Sequence, residues 1–134
     1  MPSMDPVADF LTRIRNAQKA KHPTVDVPSS RMKEQIAQIM VKEGFIRNFQ
    51  VVQNTDNAGK TLRLELKYDR SGRPMIRTIE RVSKSGCRRY ASIEKPIASK
   101  DVVTTTIVST SRGIMTDQEA CASNVGGEVI CRIS

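Results

Sequence analysis

Leu62-Arg63-Leu64-Glu65-Leu66-Lys67-Tyr68 alternates without a break, with three leucines and a tyrosine on one side and arginine, glutamate and lysine on the other. A period of two with one apolar and one charged side predicts a strand that buries one face and wets the other, as antiparallel sheets do. Upstream, Phe45 to Gln53 reads as a partner strand, turned back by Asn54-Thr55-Asp56-Asn57-Ala58-Gly59. Before that strand the period changes to that of a helix. Ser29 or Ser30 can cap it, Met32, Ile36, Ile39 and Met40 form its apolar stripe, and Gly44 is placed to end it. Thr24 to Val27 is a short strand between Pro23 and Pro28. The chain opens on another helix, with Asp5 as its cap and Pro6 at the first helical position, where a missing N–H costs nothing. Val7, Phe10, Leu11, Ile14 and Ala17 fall on one face of it, and Arg13, Arg15, Asn16 and Lys19 on the others.

Downstream, Asp69-Arg70-Ser71-Gly72-Arg73-Pro74 interrupts both periodicities and is the expected boundary between a domain over 1–69 and a second over 70–134. The second reads mostly as strand: 76–82 with imperfect alternation, a turn at Ser85-Gly86, a return from Arg89 to Ile93, and the β-branched run from Val102 to Val108. Thr116-Asp117-Gln118-Glu119 has capping-box spacing and starts a short helix to about Ala122. Asn124-Val125-Gly126-Gly127 breaks that helix, and Glu128 to Ile133 closes the chain as a strand. The expected class is α+β: a helix-strand-helix-strand-strand domain beside a mostly β domain with one short helix.

Composition narrows the function. Of 134 residues 38% are apolar and only 4% aromatic, so the core is built from Val, Ile, Leu and Met. No apolar run is long enough to cross a membrane, and no signal peptide is visible, so a cytoplasmic protein is expected. Cys87, Cys121 and Cys131 contain no Cys-x-x-Cys pair and read as free thiols, Cys131 in the core. Cys87 lies beside Arg88 and Arg89, which leaves open a reactive thiol as well as a small residue after a turn. His22 is the only histidine, and no metal-ligand spacing surrounds it. Gly126-Gly127 lacks the context of a nucleotide cradle. Neither an enzyme, nor a cofactor, nor a metal is expected.

The charge points to a polyanion. The net charge is +8, and within residues 70–95 Arg70, Arg73, Arg77, Arg81, Lys84, Arg88, Arg89 and Lys95 face only Glu80 and Glu94. A solvated strand face would mix its signs more evenly. Arg88-Arg89-Tyr90 sets a ring able to stack on an unpaired base beside two guanidiniums that fork onto phosphate. In Ser109-Thr110-Ser111-Arg112-Gly113-Ile114-Met115-Thr116 three short hydroxyl side chains allow close approach to sugars and base edges, Arg112 adds charge, and Gly113 lets the chain turn. A thiol enzyme using Cys87 and a basic protein-interaction module are the competing classes.

The segments Asp5-Pro6-Val7-Ala8-Asp9-Phe10-Leu11-Thr12-Arg13-Ile14-Arg15-Asn16-Ala17, Ser109 to Thr116, and Val125-Gly126-Gly127-Glu128-Val129 resemble, in order and spacing, the bacterial ribosomal protein S-eight family, the eighth protein of the small subunit. Arg81-Val82-Ser83-Lys84 followed by Gly86 looks like that family's middle segment. The resemblance covers essentially the whole chain. It implies a two-domain α+β protein that binds the central domain of 16S rRNA early in assembly of the small subunit and its platform. By the same resemblance the C-terminal domain docks on an irregular rRNA helix through Ser109, Thr110 and Ser111, with Tyr90 and Glu128 nearby, and Arg112 and Gly113 of the same segment are counted with them as RNA-binding candidates. Lys84, Arg88, Arg89 and Arg73 supply charge, and Arg13 and Arg15 a second rRNA contact. The family implies the fifth and twelfth small-subunit proteins as neighbours, and the chain's own mRNA as a target when it mimics the rRNA site. This chain departs from the family's pattern at Val102-Val103-Thr104-Thr105-Thr106, at Cys121-Ala122-Ser123-Asn124 and at Ser134, where a Gly-rich approach, basic residues and a terminal aromatic are usual.

Overall fold

The computed structural model describes residues 5–55, 59–83, 90–91 and 104–134. The chain separates into two compact units, one of residues 7–76 and one of 77–134 joined by 1–6.

In the first unit the elements are α1 (Pro6–Lys19), β1 (Thr24–Pro28), α2 (Arg31–Lys42), β2 (Ile46–Gln53) and β3 (Lys60–Leu66), the helix-strand-helix-strand-strand order read from the sequence. The alternating strand lies in the middle of an antiparallel sheet of order β1-β3-β2. Leu62, Leu64 and Leu66 are buried on one face, while Arg63 and Asp26 pair across the other. All five apolar residues of the α1 stripe are buried, and Gln18 joins them, its Nε2 donating to the carbonyl of Ile76. Both helices stop in the same way. In α2 the N–H of Phe45 reaches back to Met40 and that of Gly44 to Val41, with Gly44 at φ +81°. Phe45 therefore belongs to the helix stop, and β2 begins one residue later than expected. In α1 the matching bonds run from His22 to Ala17 and from Lys21 to Gln18, and the left-handed position is held by Lys21 at φ +59°.

Of the two candidate caps, Ser30 caps α2 through the N–H of Lys33, while Ser29 donates to Glu34. Lys33 itself is 5% exposed, with Nζ on the carbonyl of Pro28 at 2.8 Å, and burial lowers its pKa. Met32, expected in the stripe, is only half-buried. Strand β3 ends at Leu66, so Tyr68 lies beyond the ladder, bridged to Pro74, its hydroxyl donating to the carbonyl of His22.

The second unit contains β4 (Ile79–Arg81), β5 (Tyr90–Ala91), β6 (Thr105–Thr110), β7 (Gly113–Thr116), α3 (Asp117–Ala122) and β8 (Gly127–Ile133). Its antiparallel sheet runs β4-β8-β6-β7, with β5 also paired to β8. The strand expected over 76–82 shortens to 79–81, because the N–H groups of Arg77 and Thr78 both go to the terminal carbonyl of Ser134. Strand β6, expected to end at Val108, continues through Thr110, since Ser109 and Thr110 find partners on both neighbouring strands. Residues 102 and 103, the turn at Ser85-Gly86, and Cys87 lie outside the described residues.

Thr116 caps α3, its hydroxyl accepting from the N–H of Glu119 at 3.1 Å and donating to the Glu119 carboxylate. The helix stops with Asn124 at φ +55°, Val125 bonding Ala120 and Asn124 bonding Cys121. Val108, Ala120 and Val129 form a core cluster between sheet and helix, with Val82, Met115, Cys121 and Val125 against it. Cys131 is buried as expected, and burial pushes its thiol up to about 12, which leaves it protonated and unreactive at neutral pH.

Candidate nucleic-acid interface

Strands β6 and β7 form a hairpin closed by Ser111 and Arg112. Thr110 pairs with Gly113 at its neck. Neither Ser111 nor Arg112 takes a positive φ; the strain falls on Gly113 at +112°, where a side chain would be penalised. The Thr110 hydroxyl stitches the turn from inside, donating to the carbonyl of Gly113 at 2.9 Å and accepting from the N–H of Arg112 at 3.0 Å. Ser111 and Arg112 are thereby held at the exposed tip.

Below the tip the register sets two rungs across four strands. Tyr90, Glu128, Ser109 and Ile114 occupy one; Ala91, Gly127, Thr110 and Gly113 occupy the next. Residues opposite each other in a ladder share a face, so Ser109 and Glu128 present their side chains together. Both are half-buried. Ser109 and Thr110, being consecutive in a strand, point to opposite faces. The three hydroxyls read from the sequence as one group thus divide by geometry: Ser109 beside Glu128, Thr110 inside the turn, Ser111 at the tip. Strand β7, which sequence reasoning missed, is what makes this arrangement; the signal for it was the β-branched run followed by Ser-Arg-Gly and then Ile-Met-Thr.

The arginines are distributed as follows. Arg81, counted with the basic stretch, is turned inward: Nε meets the Asp5 carboxylate at 2.9 Å and Nη1 the carbonyl of Ile130 at 2.7 Å, with the side chain only 11% exposed. Asp5, read from the sequence as the cap of α1, gives one carboxylate oxygen, Oδ2, to this pair. Arg73 is exposed in the 7–76 unit, in a turn where Asp69 Oδ1 accepts the N–H groups of Ser71 and Arg73. Arg13 and Arg15 are exposed on α1 of the same unit, and Arg13 is paired with Asp9 one turn earlier. Lys84, Arg88 and Arg89 lie outside the described residues, and of Tyr90 only the backbone is described. Among the described residues no cluster of three or more His, Cys, Asp or Glu could hold a metal ion, and no helix is long and apolar enough to cross a membrane.

Two antiparallel sheets with their helices, a net charge of +8, and a braced hairpin tip of hydroxyl and guanidinium define a small basic α+β protein. The chain belongs to the ribosomal protein S8 family, whose family model matches residues 5–134. It is 48% identical to the small ribosomal subunit protein uS8 of Acinetobacter baylyi over the full length of both chains. It is 44% identical to that of Clostridioides difficile over 99% of each, and 44% identical to that of Solibacter usitatus over 96% of this chain and 97% of the relative. The resemblance read from separated motifs is borne out over essentially the whole length. This is a family of ribosomal structural proteins and not a class of enzymes.

Proposed function

We propose that this chain is a structural component of the small ribosomal subunit, working in the cytoplasm, that binds the central domain of 16S rRNA and helps to assemble the subunit platform. The observation that carries the reading is the rung that sets Tyr90, Glu128 and Ser109 side by side, next to the tip formed by Ser111 and Arg112. Short hydroxyls at such a place reach sugar 2′-hydroxyls and base edges that bulkier side chains would hold away. Glu128 repels phosphate, so its use is to accept from a base amino group or a 2′-hydroxyl. In this reading Ser109 and Ser111 recognise the RNA, Thr110 and Gly113 hold the turn, and Tyr90 offers its ring to an unpaired base. Arg112, Arg88, Arg89, Lys84 and Arg73 take phosphates, and Arg13 and Arg15 make a second contact. The fifth and twelfth small-subunit proteins are its neighbours, and its own mRNA is a further target.

Filter binding to a central-domain rRNA fragment across a salt series tests this. Affinity is expected to fall steeply, roughly a thousandfold between 50 and 200 mM salt if six or more phosphates are neutralised. No binding at low salt contradicts the proposal.

A further inference from the structure

Strand β8 follows β6 in two runs that are out of step by one residue. Thr105, Thr106 and Ile107 lie opposite Ile133, Arg132 and Cys131, whereas Val108, Ser109 and Thr110 lie opposite Val129, Glu128 and Gly127. Ile130 stands between the runs as a bulge on β8. Its effect is visible in the core. Ile107 and Val108 are neighbours in β6 and point to opposite faces, so their partners Cys131 and Val129 do so too, although they are two residues apart. Val129 thereby joins Val108 and Ala120 in the cluster at α3, and Val129, Ile130 and Cys131 are buried in succession.

The bulge also decides the rung proposed above to meet RNA. Carried on without it, the register of the first run would set Val129 opposite Ser109, and Glu128 opposite Thr110, whose hydroxyl is occupied inside the turn. The extra residue is what brings Glu128 to Ser109.

On its other side β8 pairs regularly with β4, where Arg81 lies opposite Cys131 and the N–H of Ser83 goes to the carbonyl of Val129. The carbonyl of Ile130 faces β4 as well. It accepts from the N–H of Val82 at 2.9 Å and from Nη1 of Arg81 at 2.7 Å. The second bond is charge-assisted, and it lies in a setting where the Arg81 side chain is only 11% exposed. Nε of the same guanidinium is fixed on the Asp5 carboxylate at 2.9 Å. One planar fork therefore holds Asp5 with one nitrogen and the bulge with another.

We propose that Arg81, held by Asp5, is a positioning residue for RNA recognition: it anchors the bulge at Ile130 that sets Glu128 opposite Ser109. In this role it touches no RNA. The inference rests on the rRNA-binding reading above and assigns to the same site a residue that acts from behind it. A hydroxyl and a carboxylate discriminate by their exact place, so a rung that is no longer fixed loses contacts to base edges while contacts to phosphate persist.

Arg81→Gln tests this by removing both the charge and the fork. Backbone NOEs between Ser109 and Glu128 in the free protein read the rung directly. The ratio of affinities for the central-domain rRNA fragment and a random duplex reads recognition, and the log–log salt slope reads phosphate contacts. The NOEs between Ser109 and Glu128 are expected to weaken while those between Ile79 and Ile133 stay. The ratio should fall roughly tenfold, as for one lost base contact, with the salt slope unchanged. Asp5→Asn keeps a side chain able to cap α1 and takes only the counter-charge from Arg81; it should shift the NOEs and the ratio in the same direction by less, and it decides the matter if the glutamine variant does not fold. Wild-type NOEs and ratio in the folded variants overturn the proposal. A shallower slope with an unchanged ratio makes Arg81 a phosphate contact and overturns it as well. Failure of wild type to bind the central-domain fragment overturns the rRNA reading instead, while the NOEs still decide whether Arg81 anchors the bulge.

Discussion

Gly127 lies against Ser109 so closely that no side chain fits between them. A Cβ on Gly127 would collide with the carbonyl oxygen of Ser109, 2.8 Å from its carbonyl carbon and 3.1 Å from the Cα of Thr110. The constraint is space, since nothing in its backbone dihedral requires glycine, whereas Gly113 stands in open space and is required by its φ. Two glycines, on the strands that flank β6 on either side, thus fix the hairpin for different physical reasons.

The first prediction follows from that contact. Gly127→Ala must push β8 away from β6 at the two rungs that carry Ser109 with Glu128 and Thr110 with Gly127 itself, at a cost of about 1–3 kcal/mol for forced overpacking. Urea denaturation is expected to show the loss, and cognate RNA binding to weaken at protein concentrations where the variant remains folded. A variant as stable as wild type would mean that the strands are not packed this closely.

A second prediction concerns Thr106, which is fully buried and whose hydroxyl has no hydrogen-bond partner among the described residues. A buried hydroxyl that has left water without finding a partner is a cost. Thr106→Val is expected to raise stability by about 1 kcal/mol, read as a higher urea midpoint with unchanged slope. A lower midpoint would show that the hydroxyl contributes a bond.

Acid behaviour supplies a third. Arg63 meets Asp26 in two parallel bonds, 2.9 and 3.1 Å, across β1 and β3. The hydrogen bond from Arg63 holds the Asp26 carboxyl below its ordinary range. A carboxyl depressed by folding adds stability above its unfolded pKa and loses it as pH falls through the folded value. Asp26→Asn is therefore expected to lower the urea midpoint slightly at neutral pH, and the difference from wild type to vanish below the carboxylate range. Both side chains are over 40% exposed, so high salt should shrink the effect. A difference that persists unchanged into acid contradicts the ion pair.

Local chemistry made much of this fold legible. Ser30 and Thr116 as caps, and Gly44 and Asn124 as stops, act within one turn of the chain, so neighbouring residues reveal them. The leucines of β3 declare their face by period alone. Less was legible where a distant partner decides. Lys33 reads as a surface lysine until the carbonyl of Pro28 accepts its ammonium, and Arg81 reads as part of a basic face until Asp5, far away in sequence, takes its guanidinium. Ser109 and Thr110 read as a loop for the same reason, since the backbone partners that make them strand lie on β7 and β8. Of the candidate site, the residue types of the hairpin were readable from the sequence. The division of its hydroxyls between two faces and a tip was not, because that depends on register.

In the proposed mode of binding, the exposed tip hydroxyl recognises one folded RNA while the arginines hold any RNA. Its most direct test is the ratio of affinities for the central-domain rRNA fragment and for a random duplex, compared between wild type, Ser111→Ala and Arg73→Ala. Ser111→Ala is expected to reduce the ratio by weakening mainly the cognate complex, and Arg73→Ala to weaken both complexes alike and leave the ratio unchanged. Equal losses on both RNAs from Ser111→Ala would contradict it.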